Sequence, residues 1–295
     1  MTSVFDRWKH ALPSSGPFRV YKQYYEELNK DYWASVAAHS LVYKEMTRKG
    51  TTWDSPPAEV LPLPPNKFNF PVLREWSDSY NSFQSWVRLN TLVGLTSILE
   101  TFIDTVSSLA IESNPGLLIN SDKSLDGLSL LKSKRLDEEI IKSSIAPLTK
   151  GDWPSRISAF NKLFNGYPTE IYCYLGDLED LRKRRNTVGH AFGRDIAQSR
   201  KFEEIKALPQ TGVSEENLLN FFDVTFKVAK AIDTFLLDRH IGEYQALFAF
   251  HIFKKKNNGK KWNQSTWANS FRKAYTTTPL GKQFFLDLVD YYEKV

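Results

Sequence analysis

Leu95-Thr96-Ser97-Ile98-Leu99-Glu100-Thr101-Phe102 lies inside a stretch, about Asp78 to Glu112, in which Trp86, Leu89, Val93, Leu99, Phe102, Ile103, Val106 and Leu109 return at helical spacing. The apolar positions occupy more than one face. A helix of that kind is expected to be central and largely buried, with neighbours on several sides. Asn114-Pro115-Gly116 closes it, since proline cannot continue a helix and glycine favours turns.

The same period runs outward in both directions. Tyr21, Tyr24, Tyr25, Leu28, Tyr32 and Val36 predict an amphipathic helix from Tyr21 to about Thr47, ended by Lys49-Gly50. Downstream, helices are expected at about Leu125 to Ser144, at Pro154 to Phe164 with Asp152 as N-cap, and at Ile171 to Asn186. Ser214-Glu215-Glu216 opens another, whose Leu218, Phe221, Phe222, Thr225, Val228, Ile232 and Phe235 keep the period. After a break at His240 to Gly242 come a short aromatic helix through Phe253, a turn at Asn257-Asn258-Gly259, and terminal helices at about 264–275 and 280–292. No segment alternates with period two, so the fold is expected to be all-α. Pro56, Pro57, Pro62, Pro64, Pro65 and Pro71 predict an extended linker. The expected organisation is an N-terminal helical arm and linker over 1–72, a helical domain over 73–240, and a C-terminal helical extension over 241–295.

A chain of 295 residues with 41% hydrophobic content can bury a substantial core, which excludes a disordered tail. Its single cysteine, Cys173, cannot form an internal disulfide. That favours a reducing, cytoplasmic setting, with the thiol expected to be buried. Charges in Asp6-Arg7-Trp8-Lys9 stand where a signal peptide would need an apolar run, and no later segment is expected to span a bilayer. No metal is expected, because no His, Cys, Asp or Glu cluster has convincing ligand spacing.

Net charge is only +5, so the position of the cations matters more than their number. Arg182, Lys183, Arg184, Arg185 and Arg194 cluster around Arg185-Asn186-Thr187-Val188-Gly189-His190 and form a candidate RNA-binding patch. Within that hexapeptide, Arg185 offers a planar donor fork that matches phosphate oxygens, and His190 can exchange a proton near neutrality. The pairing points to chemistry on a phosphodiester. A second basic patch, Lys254, Lys255, Lys256, Lys260 and Lys261, adjoins Trp262 and Trp267. These tryptophans are expected either to anchor their helix to the core or to stack unpaired bases. His10, His39, His240 and His251 are assigned packing or surface roles.

The hexapeptide resembles the R-N-x-x-x-H form of the motif of the HEPN superfamily, all-helical domains that include metal-independent ribonucleases. Leu175-Gly176-Asp177-Leu178-Glu179-Asp180-Leu181 leads into it with helical spacing, as in that family, and the helix through Leu95 to Phe102 resembles the first long HEPN helix. Ala191 stands where many members have glycine, with Gly193 two residues later. The resemblance implies a HEPN-type helical bundle that acts as a homodimer without a cofactor. Arg185, Asn186 and His190 would be catalytic, with Glu100 orienting the arginine or the histidine. It also implies RNA, tRNA included, as substrate in a toxin or anti-phage setting, and an antitoxin or regulatory protein as a further partner.

Plainer readings stand beside these. Residues 182–190 also fit a solvated basic helix ending at Gly189, and Glu100 with Ser97, Asp104 and Ser108 also fits the wet face of its helix. At 3.6 residues per turn, a five-residue step separates Arg185 from His190 around a continuous helix. The two are expected to act together only if the helix ends near Gly189 or a second subunit supplies one of them. Two further functions remain in competition with RNA cleavage: a non-catalytic HEPN module that binds RNA, a nucleotide or a protein, and an interaction protein that recruits a partner through its linker and N-terminal helix.

Overall fold

The computed structural model describes residues 5–62, 70–133, 136–191, 194, 212–275 and 280–295. Among them there are ten α-helices and no strand. They are α1 (Gly16–Arg48), α2 (Leu73–Ser113), α3 (Gly127–Ser133), α4 (Glu138–Thr149), α5 (Trp153–Phe164), α6 (Leu175–Ala191), α7 (Glu215–Leu236), α8 (Tyr244–Lys256), α9 (Gln264–Ala274) and α10 (Lys282–Lys294). The all-α expectation holds.

Local signals set most boundaries. The Asp152 carboxylate accepts from the Ser155 backbone N–H at 2.8 Å, and the Ser214 hydroxyl accepts from Asn217 N–H at 3.1 Å, so both helices begin at the expected caps. Gly50 at φ 66° ends α1. Two expectations are corrected. The single helix over 125–144 is two, α3 and α4, the second capped by Asp137. The helix before the motif starts only at Leu175, because Thr169–Tyr174 winds as a tighter 3₁₀ turn. In the proline-rich run, Pro57–Glu59 also makes a 3₁₀ turn instead of extended chain, while residues 63–69 lie outside the described ones.

The chain forms two compact units, each discontinuous in sequence, whereas boundaries at 72 and 240 would divide it serially. The first unit contains residues 1–22, 99–176 and 226–295, and the second 23–98 and 177–225. In the second, Tyr25, Leu28, Tyr32 and Val36 of α1 pack with Leu89, Leu92 and Leu95 of α2, Leu181 of α6 and Leu218, Phe221 and Phe222 of α7. α1 is therefore part of a core and not a detached arm. In the first unit, Leu128 and Leu131 of α3 pack with Leu247 and Phe250 of α8, Trp267 and Phe271 of α9, and Phe284, Phe285 and Leu288 of α10. The C-terminal helices complete that core.

α2 carries one correction of a different kind. It contains an 18-residue window long and apolar enough to cross a membrane by composition, which the sequence reading did not expect, and 44% of that window is buried inside the protein. Leu89, Leu92, Leu95, Leu99, Phe102, Ile103, Val106 and Ile111 are all buried, as in a central core helix. Trp86, expected on a buried face, is 47% exposed.

The first unit is tied by Arg7, whose side chain is only 3% exposed. Its Nε reaches both Asp126 oxygens at 3.1 and 3.0 Å, its Nη1 donates to the Ile241 carbonyl at 3.0 Å, and its Nη2 donates to the Ser113 carbonyl and hydroxyl at 2.9 Å each. Nearby, the Glu243 carboxylate accepts from the Ala11 backbone N–H. Burial pushes the Glu243 carboxyl up from 4.5 to about 7, against the opposing pull of the Ala11 N–H, His10 and Arg7.

Arg7→Ala should destabilise the protein by roughly 3–5 kcal/mol, because it leaves the half-buried Asp126 without its cation and the buried Ser113 and Ile241 carbonyls without their donor. Lys9→Ala, whose side chain is 84% exposed, should change stability by no more than about 0.5 kcal/mol. Urea unfolding of both variants checks this, and equal midpoints would contradict it. For Glu243 the folded state binds the proton more tightly than the unfolded chain. Its contribution is therefore fully present below about pH 4.5 and is lost as pH rises through about 7. Glu243→Gln should flatten that part of the stability–pH curve, by up to about 3 kcal/mol at pH 8.

Candidate functional site

α6 is held in the second unit by Leu181, with Val188 packed against the same apolar cluster, and Leu178 is buried as well. These positions fall at steps of three and seven residues and so share one face of the helix. Arg185 follows Leu181 by four residues and is half-buried beside that face. Asn220 Nδ2 donates to Asp177 Oδ1 at 2.9 Å, which pins the first turn of α6 to α7.

The basic run is less open than its composition suggests. Arg182 forms a forked pair with Glu179, with Nη2 to Oε2 at 2.8 Å, and Arg184 Nε donates to Asp180 Oδ2 at 2.8 Å. Both follow from the three- and four-residue spacing of opposite charges on a helix. Lys183 is exposed, and Arg194 is half-buried. Arg185 Nη1 donates to Asn186 Oδ1 at 3.2 Å, so the structure brings this predicted pair together. His190 lies in the last turn of α6, and its side chain falls outside the described residues, as do Phe192 and Gly193.

The helix does not end at Gly189. It runs on to Ala191, and a five-residue step on a continuous helix turns through about 140°. That correction removes one of the two arrangements in which Arg185 and His190 were expected to meet.

Glu100 belongs to the first unit, where its Oε1 accepts from Arg156 Nη2 at 3.0 Å. Arg156 is buried, donates from Nε to the Gly151 carbonyl at 3.2 Å, and lies 5.1 Å from the Trp153 ring centroid. Ser97 and Asp104 of the same stripe are exposed. No local signal marks Arg156, whose partner lies 56 positions away. The second unit holds further buried or half-buried polar groups of the same kind. Arg88 Nε donates to the Val213 carbonyl at 2.6 Å, and the Tyr32 hydroxyl donates to Glu215 at 3.0 Å. Burial and the Glu215 carboxylate push Tyr32 up to about 12. Burial, with Arg88 second, lowers the pKa of His39, which stacks on Tyr80 at 4.8 Å. An arginine set between Trp86-Val87 and Leu89 was the available signal for Arg88.

The remaining candidates resolve more simply. Cys173 is exposed, not buried, because it sits on the 3₁₀ turn before α6. His240 is buried, with Nε2 bonded to the Phe164 carbonyl at 3.1 Å, and His251 Nδ1 bonds the Tyr292 hydroxyl at 2.7 Å. Trp267 is in the core, with Trp262 edge-on to it at 4.7 Å. Among the described residues no group of three or more His, Cys, Asp or Glu converges as a metal site. No protein-family model matches the sequence, and comparison with curated proteins and with solved structures finds no significant match.

Glu100→Gln should lower stability by roughly 1–3 kcal/mol, because it weakens a charged hydrogen bond to a buried guanidinium. Asp104→Asn, one turn away and exposed, should change it by no more than about 0.5 kcal/mol. Thermal melts of the two single variants make the comparison, and equal behaviour would remove the structural role assigned to Glu100.

Proposed function

We propose that this chain is a HEPN-type endoribonuclease that cuts RNA without a metal. The observation that carries the reading is the Arg185–Asn186 pair at the end of a helix whose next turn brings His190. In this reading His190 removes the proton of a ribose 2′-hydroxyl, and the resulting oxygen attacks the adjacent phosphorus. Arg185 binds the non-bridging oxygens as their charge grows, and Asn186 holds the guanidinium in place. The 5′-oxygen leaves and takes up the proton that the imidazolium gives back, which yields a 2′,3′-cyclic phosphate and a 5′-hydroxyl end.

The continuous helix favours the two-copy form of the site, in which Arg185 of one subunit and His190 of its partner meet at one phosphate. A two-fold interface is self-complementary, so each dimer would hold two such sites. Lys183 and Arg194 supply the remaining positive field, together with Arg182 and Arg184 where RNA displaces their carboxylate partners. A cytoplasmic toxin or anti-phage effector, restrained by an antitoxin protein, is the setting this activity fits. One observation favours a rival. The pairing of Arg182 and Arg184 with acids lowers the field available to a polyanion, as suits a non-catalytic helical module.

Purified protein incubated with total RNA in excess EDTA should produce fragments with 2′,3′-cyclic phosphate ends. His190→Ala and Arg185→Ala should each reduce the rate by about 10²-fold or more. Arg185→Lys should also be poor, because a point charge does not reproduce the planar fork. Activity should fall at acid pH as the imidazole protonates, and 2′-O-methyl substrates should resist cutting. Dependence on Mg²⁺, or a fully active monomer by light scattering, would overturn this mechanism. RNA binding without any cutting would select the rival.

A further inference from the structure

From Tyr244 to Leu286 the chain holds eight Lys or Arg residues and no Asp or Glu, so this segment carries +8 in a protein whose net charge is +5. Five of the eight crowd the turn between α8 and α9, where Lys255, Lys256 and residues 258–261 are all exposed. The turn is closed by its own backbone. Asn257 N–H donates to the Phe253 and Lys254 carbonyls at 3.2 and 3.1 Å, and Lys260 N–H donates to the Asn257 carbonyl at 3.2 Å. A Cβ on Gly259, at φ +93°, would meet nothing within 4 Å, so the turn projects into open space. Behind it, Trp267 and Phe271 of α9 pack with Phe250 of α8 in the core of the first unit. The lysines therefore stand on packed helices and not on a loose tail.

Most of these cations have no counter-charge. Among the described residues Lys255, Lys256 and Lys261 engage in no side-chain hydrogen bond or ion pair, and Lys260 meets only neutral groups, the Asn257 amide oxygen at 2.8 Å and the Trp262 ring at 4.4 Å. Lys254 differs, being paired with Glu293 at 2.5 Å. The outer face of α9 continues the pattern with exposed Ser265, Arg272 and Lys273. Acids return only on α10. There Glu293 and Asp290 are held by Lys254 and Lys294, and Asp287 accepts from Gln283 Nε2 at 2.7 Å. Asp287 is the one carboxylate of that group without an ion pair among the described residues, against six exposed cations of the turn and α9.

The make-up of this surface selects among anions. The turn has no arginine, so it lacks the planar fork that reads a phosphodiester bidentately. It also lacks a free ring for an unpaired base, since Trp267 is in the core and the half-buried Trp262 lies between Trp267 at 4.7 Å and Lys260 at 4.4 Å. None of the exposed large apolar side chains among the described residues falls within 244–286, which leaves a protein partner without an anchor. An anionic bilayer surface requires neither fork, ring nor anchor, only several cations within reach of one plane. We propose that the α8–α9 turn docks on the anionic headgroups of a lipid bilayer through Lys255, Lys256, Lys260 and Lys261, with the protein remaining outside the hydrocarbon. Each lysine near such a surface raises partitioning about fivefold, so four together give a reversible attachment of about 10²–10³-fold over a neutral surface. This inference rests on the charge of the turn and not on the Arg185 motif.

Co-sedimentation of the full chain with vesicles tests it, using phosphatidylcholine alone and an equal mixture of phosphatidylcholine and phosphatidylserine. The protein should sediment with the mixed vesicles only. It should be released when salt is raised from about 0.1 M to about 1 M, which shortens the screening length from roughly 10 to 3 Å. Lys255→Ser/Lys256→Ser/Lys261→Ser should weaken partitioning by about 10²-fold and leave the melting curve unchanged, since all three side chains are exposed. If that variant does not fold, Lys255→Ala alone, with an expected loss of about fivefold, decides. Removing the same charge elsewhere, in Lys30→Ser/Lys44→Ser/Lys162→Ser, should change partitioning by less than about threefold, because net charge alone attracts weakly at that salt. The proposal is overturned by binding to the mixed vesicles no stronger than to neutral ones, by binding that survives loss of the turn lysines, or by an equal loss in both triple variants. Vesicles left unbound, while the turn variant loses affinity for an RNA strand or for polyglutamate, would overturn it too and assign the turn to a nucleic acid or to an acidic protein.

Discussion

The buried Arg7 guanidinium is the constraint on which the first unit depends. A cation removed from water is costly unless nearly all of its donors find acceptors, and here one carboxylate, two carbonyls and a hydroxyl converge on it. Those acceptors come from the end of α2, the loop before α3, and the π-helical turn Leu237–Ile241 after α7. Residues more than 100 positions apart are thereby fixed to one planar group. Close approach is part of the same arrangement. Gly242 has φ 51°, and a Cβ there would lie 2.3 Å from the Arg7 carbonyl, while one on Gly127 would lie 1.7 Å from the Glu112 carbonyl. Both positions require glycine because backbone occupies the space a side chain would need.

The same logic extends along the N-terminal segment. Ser15 N–H donates to Asp233 Oδ2 at 3.1 Å, Gly16 N–H donates to Gln245 Oε1 at 2.9 Å, and the Glu243 backbone N–H donates to the Arg7 carbonyl at 3.0 Å. Residues 7–16 thus run across α7 and α8 as a strap held by polar groups rather than by apolar area. Burial raises the Asp233 pKa against the two Ser15 bonds that lower it. A strap built in this way is specific in register, since each bond demands a particular partner, and it is costly to break because each loss leaves a buried group unsatisfied.

What was legible in the sequence was local. Helical period placed α2 and α7, and cap chemistry placed Asp152 and Ser214, because those signals act over three or four residues. Arg7 read only as a charge that disqualifies a signal peptide, since its partners are 106 to 234 residues away. Glu100 shows the same limit from the other side. Its partner Arg156 is 56 positions distant, and nothing in the polar stripe of α2 distinguishes the half-buried Glu100 from the exposed Ser97 and Asp104. The split between α3 and α4 escaped notice because the apolar period continues across it, whereas Asp137, the cap that opens α4, marks it. Around the motif, the arginine–acid pairs at three and four residues were readable from spacing alone, and a count of cations hid them.

That last point separates charge composition from charge availability. In α6, Arg182 and Arg184 already have carboxylate partners on their own helix, so a polyanion must displace those partners before it gains the contact. Both arginines are half-buried, and a phosphate that offers two oxygens to one guanidinium can compete with the carboxylate each now holds. Beyond α7, Asp238 in the π-helical turn is bonded to His10. The segment with the denser run of arginines is therefore the one whose cations must be released by the ligand, while α7 presents Lys230 without an ion-pair partner among the described residues. Which cations reach a phosphate is decided by where the acids of the same helix fall in its 3.6-residue turn, a property of spacing that net charge does not carry.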